Sequence, residues 1–175
     1  MSNVKPSTKR IIVNEEAKPY VSPLTSFDIY LENYHKLMKQ LKKEADVRQL
    51  RSILKSDITT HIRDLILHGA YDALVLTRPD QHIVWVNDGF QEMTGYPKSF
   101  AIGKRPGFLQ GALTSKKTKQ EIRESLEMER TSTFSILNYR KNGETYTCQI
   151  KIVPLYNTKK ELTHFMALEK ESKAV

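Results

Sequence analysis

The chain has a single cysteine, Cys148, among 175 residues. That excludes an internal disulfide framework and any multi-thiolate zinc site. Long apolar runs are also missing, since none approaches the ~20 residues needed to cross a bilayer. The opening MSNVKPSTKRIIVNEE follows Lys9 and Arg10 with only Ile11, Ile12 and Val13, too little for a secretory signal. The expected location is therefore the cytoplasm, with no membrane contact. A phosphate-cradling glycine motif is absent. His61, His68, His82 and His164 show no metal-ligand spacing, and no His/Cys pair is arranged for nucleophilic catalysis. No enzyme is expected, and the few residues after Glu171 are too short for an effector domain, so the chain is read as a stand-alone binding module.

Charge is plentiful and its placement is informative. The formal net charge is +8. Residues 1–69 hold 12 Lys/Arg against 8 Asp/Glu and residues 70–175 hold 16 against 12, so each part carries +4. A nucleic-acid footprint concentrates its charge in one stripe. Apart from small clusters such as Lys116, Lys117 and Lys119, the charge here is spread over a solvated surface. A small DNA-binding regulator using the basic N-terminal helices is the third-ranked reading, behind two others given below.

Residues 1–24 carry Pro6, Pro19 and Pro23 without periodicity and read as a flexible leader. From there Phe27, Tyr30, Leu31, Tyr34, Met38 and Leu41 recur at helical spacing, with Thr25 and Asp28 as a capping pair. A second helical stretch runs through Val47, Leu50, Leu54, Ile58, Ile62, Leu65 and Ile66 to Gly69, with an interruption expected near Ser56-Asp57. Together these make a helical extension over 25–69, suited to dimerisation and signalling. After Gly69 the period becomes alternating. Strands are expected at 73–77 and 82–87, short helices near 88–94 and 97–101, a longer helix at 115–128, and strands near 133–140, 145–154 and 162–169. The segment GKRPGFLQG, 103–111, is a poor recipe for a helix or a central strand. The fold class is α+β: a five-stranded antiparallel sheet with helices on one face, over 70–170, then a tail at 171–175.

Alternation assigns the faces. Tyr146, Cys148, Ile150 and Ile152 point into the core, as do Phe134, Ile136 and Asn138 on the preceding strand. On the last strand Phe165, Ala167 and Glu169 oppose Met166 and Leu168. Apolar groups thus occupy both faces, and the N-terminal helices, or those of a partner chain, are expected to cover the second.

Asn87-Asp88-Gly89-Phe90 followed by Met93-Thr94-Gly95-Tyr96 resembles a PAS domain. Within that superfamily the chain is most similar to the LOV branch of flavin-binding blue-light sensors. The residues that carry the likeness are Gly103, Phe108, Leu109, Gln110 and Gly111, then Ile122-Arg123, then Asn138-Tyr139-Arg140-Lys141-Asn142-Gly143. The resemblance implies a flavin pocket and also shows departures from it. The family's adduct-forming cysteine is Pro106 here, its preceding Asn is Arg105, and its phosphate-contacting Arg is Gly107. Cys148 stands where the family has a second flavin-bonding Asn, and Glu169 where it has a Gln. An amide can donate or accept, whereas an ionised carboxylate only accepts. Gln110, Arg123 and Asn138 survive, and Arg105 restores positive charge suited to an anionic tail.

Candidate pocket residues are therefore Arg105, Gln110, Arg123, Asn138, Cys148 and Glu169. Against a binding role, Cys148 reads as a small apolar core filler and Trp85 as packing. Glu169, near the end of the last strand, is expected to lie in water at a frayed end rather than in a pocket with a raised pKa. Asn138 needs either a ligand or a backbone carbonyl as its partner. The first reading is a PAS sensory or interaction module with a small-molecule cavity and an unidentified signalling partner, forming a homodimer through its N-terminal helices and outer sheet face. The second is a flavoprotein with FMN or FAD that lacks the adduct cysteine and acts by photoreduction.

Overall fold

The computed structural model describes residues 23–54 and 58–172. The expected interruption at Ser56-Asp57 and most of the leader lie outside the described residues. The chain divides into two compact units, Met1–Lys42 and Lys43–Val175. Among the described residues, no helix is long and apolar enough to cross a membrane.

The first helix, α1, is Pro23–Leu54. It merges what the sequence suggested were two helices, because no glycine or proline occurs between Pro23 and Leu54 to stop it. It also starts ahead of the expected Thr25 cap, at a proline whose fixed φ suits a first helical turn. Helix α2, Thr60–His68, is capped by the Thr59 side chain, which accepts from the Ile62 amide, and closed by Gly69.

Strands β1 (Ala73–Thr77) and β2 (Ile83–Val86) form the expected hairpin. Helices α3 (Asp88–Thr94) and α4 (Lys98–Ala101), a single 3₁₀ turn over Pro106–Leu109, and α5 (Lys116–Glu127) follow. Strands β3 (Ser132–Tyr139), β4 (Thr145–Tyr156) and β5 (Leu162–Ser172) complete an antiparallel sheet of order β2-β1-β5-β4-β3. The first and last strands are thus central neighbours, and the segment from α3 to α5 crosses one face between the two edges.

Both faces carry packed helices, the outer one over β1, β5 and the end of β4, while Thr133, Ser135, Thr145, Thr147 and Gln149 stay exposed. On the outer face Leu74, Leu76, Met166 and Leu168 pack against Val47 and Leu50 of α1 and Ile62 and Ile66 of α2. The chain's own helices therefore provide the cover, and Trp85 belongs to this core. Polar contacts hold the arrangement in register. Lys43 Nζ donates to the Leu67 and Gly69 carbonyls at 3.1 and 2.7 Å, satisfying acceptors that the end of α2 leaves open. Trp85 Nε1 donates to Gln49 Oε1 at 2.9 Å. Asn87 does more: its Oδ1 accepts from the Leu74 and Phe90 amides while its Nδ2 donates to Asp46 at 2.9 Å. One side chain thereby caps α3 and ties it to both β1 and α1.

Candidate ligand cavity

The inner face carries Val75, Ile136, Tyr146 and Cys148 beneath Phe90, Met93 and Leu109. This second core is not filled throughout. A cavity of about 480 Å3 opens between the sheet, the 3₁₀ turn and α5. That volume lies within the range of small-molecule and cofactor sites.

The stretch 103–111 is one wall of this cavity, with Arg105, Pro106, Gly107, Leu109 and Gln110 in its lining. Backbone contacts tether it at both ends. The Gly103 amide donates to the Ile83 carbonyl at 2.8 Å, and the Ile83 amide donates to the Lys104 carbonyl at 2.9 Å. At the far end the Gly111 amide donates to Thr114 Oγ1 at 2.9 Å, and that hydroxyl donates to the Leu137 carbonyl at 2.7 Å. Gly111 is required for close approach, since a Cβ there would stand 2.4 Å from the Tyr139 ring. Proline at the first position of the 3₁₀ turn presets its φ, and Leu109 anchors the turn in the core. Behind the wall Tyr96, Phe100 and Phe108 pack ring on ring at 4.9 to 5.4 Å.

Five of the six candidate residues meet at the cavity: Arg105, Gln110, Arg123, Asn138 and Glu169. Cys148 is outside the lining set. It is fully buried in the inner core, and burial, helped by the nearby Glu169 charge, pushes its thiol pKa well up. A neutral thiol held in that way is a packing group.

Glu169 differs from the expectation of a frayed end. It is 4 % exposed, between Ala73 of β1 and Ile150 of β4. The strand continues past it because Asp72 binds on both sides: its amide donates to the Glu169 carbonyl at 2.8 Å and its carboxylate accepts from the Glu171 amide at 3.0 Å. Glu169 Oε2 has no hydrogen-bond partner. Burial pushes the carboxyl pKa up to about 7. Asn138 is also buried and lies opposite Tyr146 in the β3–β4 ladder.

The sequence reading treated Lys116 and Lys119 as surface charge, yet both line the cavity with Gln120 and Arg123. The signal was their spacing, since 116, 119 and 123 fall on one face of α5. Lys116, Arg123 and Arg105 are exposed and Lys119 is partly buried, which puts them at the solvent rim. The inner end thus offers an amide and a carboxyl, the wall a second amide, and the rim four cations. An elongated ligand with a polar ring and an anionic tail matches that order of groups.

In volume and in the chemistry of its lining the cavity is compatible with a ligand of the size of FMN. Against the pattern that the resemblance implies, Pro106 brings no thiol and Gly107 no side chain to the lining, Cys148 packs outside it, and Glu169 puts a carboxyl with one orphaned oxygen at the inner end. Among the described residues no group of three or more His, Cys, Asp or Glu is placed to hold a metal.

Comparison with known proteins agrees with this fold. The family model described as a PAS domain matches residues 72–171. A blue-light photoreceptor of Listeria innocua is 36 % identical over 101 residues, which are 56 % of this chain and 40 % of that protein. A blue-light-activated histidine kinase of Brucella anthropi is 39 % identical over 89 residues, 51 % of this chain and 18 % of the kinase. The chain thus spans well under half the length of these two relatives. Among solved structures, the light state of the Aureochrome1 LOV domain superposes with a TM-score of 0.58 at 26 % identity, covering 62 % of this chain and 88 % of that one. A LOV structure from work on a flavin analogue gives 0.59 at 28 %, covering 66 % and 86 %. The chain belongs to the PAS domain family, and its PAS domain is LOV-like.

Proposed function

We propose that this chain is a sensory PAS module of signal transduction that holds FMN, or FAD, in its 480 Å3 cavity without a covalent bond and signals by changing its association. The observation that carries the reading is the order of groups in one cavity: Asn138 and Glu169 inside, Gln110 in the wall, and Arg105, Lys116, Lys119 and Arg123 at the rim. The light-sensing relatives favour flavin among ligands of that shape. A bound flavin would supply blue-light absorption and an electron-accepting ring. The protein's part would be to bind and orient it: Asn138 and Gln110 would hold the polar ring, Arg105, Lys116, Lys119 and Arg123 the anionic tail, and the apolar walls would exclude water. With proline at the family's thiol position no cysteinyl adduct could form at residue 106, and a bound flavin would instead answer to light by accepting electrons from a soluble reductant such as a cellular thiol or a reduced nicotinamide. Output goes to an unidentified partner in the cytoplasm, where a lone buried thiol stays reduced, and the working unit is a homodimer built on the N-terminal helix.

The absorption spectrum of freshly purified protein, with mass spectrometry of what denaturation releases, tests this. Structured blue absorption and released FMN or FAD are expected. A colourless protein that releases no flavin and does not take up added FMN at 100 μM, roughly tenfold above a ~10 μM Kd of about 7 kcal/mol, overturns the flavin reading.

A further inference from the structure

Within α1, Phe27, Leu31, Tyr34, Met38 and Leu41 follow at steps of four, three, four and three residues. This is the 3.5-residue repeat of a coiled-coil seam. All five side chains are exposed, from 36 % at Leu31 to 58 % at Phe27, and Tyr30 and Leu37 beside them are exposed too. The other side carries Lys36 and Glu32, which pair at 2.8 Å in open solvent, with Lys39 next to them and Ile29 as an exposed large apolar side chain. Seven apolar side chains about half exposed, at 150–250 Å2 for each aromatic, leave about 700 Å2 uncovered on each chain. Specific stable interfaces bury about 600–1,000 Å2 per partner, a range that this face reaches. A helix patterned in this way calls for a second helix with the same seam.

We propose that two copies of this chain pair through this seam in antiparallel orientation. The inference rests on the homodimer read above and adds its geometry. In the heptad Leu31 and Met38 take positions a, and Phe27, Tyr34 and Leu41 take positions d, with Asp28, His35 and Lys42 at e and Tyr30 and Leu37 at g. A parallel pair sets e against g, so Lys42 meets Leu37 and His35 meets Tyr30, and no opposite charges face each other. An antiparallel pair sets e against e and a against d. Asp28 then faces Lys42 of the second copy, and the two-fold axis repeats that pair at the other end. Leu31 meets Leu41, and Tyr34 meets Met38 in sulfur–aromatic contact instead of each meeting itself. Both the apolar layers and the charges fit this orientation better.

Cross-linking of the full chain tests it. Leu31→Cys and Leu41→Cys are purified separately and oxidised mildly, alone and mixed; Cys148 is fully buried and does not compete. Analytical ultracentrifugation is expected to give a dimer, and the mixture to form disulfide-linked dimers at least tenfold faster than either variant alone. Asp28→Lys should weaken the dimer about tenfold, and Asp28→Lys with Lys42→Asp should restore it. Rapid cross-linking of Leu31→Cys alone means a parallel pair and overturns the orientation. A dimer that cross-links in no combination overturns the seam while leaving the homodimer reading intact. A monomer at 50 μM overturns both.

Discussion

Glu169→Gln isolates the buried carboxyl at the inner end of the cavity. The wild-type group titrates near 4.5 in the unfolded chain and at about 7 in the folded one, the rise coming from burial. Between those values the folded protein holds a proton that the unfolded chain has released. Its stabilising contribution is complete below 4.5 and is lost as the pH rises through 7. The interval is worth about 3 kcal/mol. Glutamine has the same shape and stays neutral, so the variant should match wild type at pH 4 and exceed it by about 3 kcal/mol at pH 8. Urea unfolding of ligand-free protein at both pH values is the assay. At a typical m of 1–3 kcal/mol/M, the midpoints should separate by about 1–3 M at pH 8. His164, lowered by burial, contributes with the opposite sign below its ordinary value, but equally in both proteins, so it cancels in the difference. Burial pushes Tyr146 and Cys148 far above this window. Equal pH profiles for wild type and variant would mean that the carboxyl is solvated in the folded state, and the reasoning would fail.

Asn87→Ala should destabilise the fold by about 2–4 kcal/mol in denaturant titration, because the Leu74 and Phe90 amides lose their acceptor inside the protein. Gly111→Ala forces a methyl against the Tyr139 ring and should cost about 1–3 kcal/mol, with a matching drop in thermal midpoint. Asn138→Leu should weaken FMN retention about tenfold or more, read by fluorescence titration, while a change under twofold would remove Asn138 from the site. Replacing Lys119 and Arg123 together by Ala should lower FMN affinity and flatten its dependence on salt, read by the same titration.

Much of the site was legible from the residue order. Alternation put Asn138 on the inward face and Glu169 on one face with Phe165 and Ala167, and all four residues line the cavity. Glu169 was nevertheless expected in water, because periodicity shows which way a side chain points but not how far its strand continues. Asp72, nearly a hundred residues away in sequence, extends the ladder past it. Lys116 and Lys119 look like ordinary surface charge when read locally, and only the docking of α5 over the sheet makes them part of a rim.

Sequence alone determined the helical and extended periods, the two apolar faces of the sheet and the break at Gly69, since each depends on residues within one or two turns of each other. Tertiary structure decided that the inner core leaves a cavity, that Glu169 is sealed at its end with an unpaired oxygen, and that Cys148 packs outside it. Those outcomes depend on how far α5 and the 103–111 wall stand from the strands, a distance set by hydrogen bonds and ring contacts between segments remote in the chain.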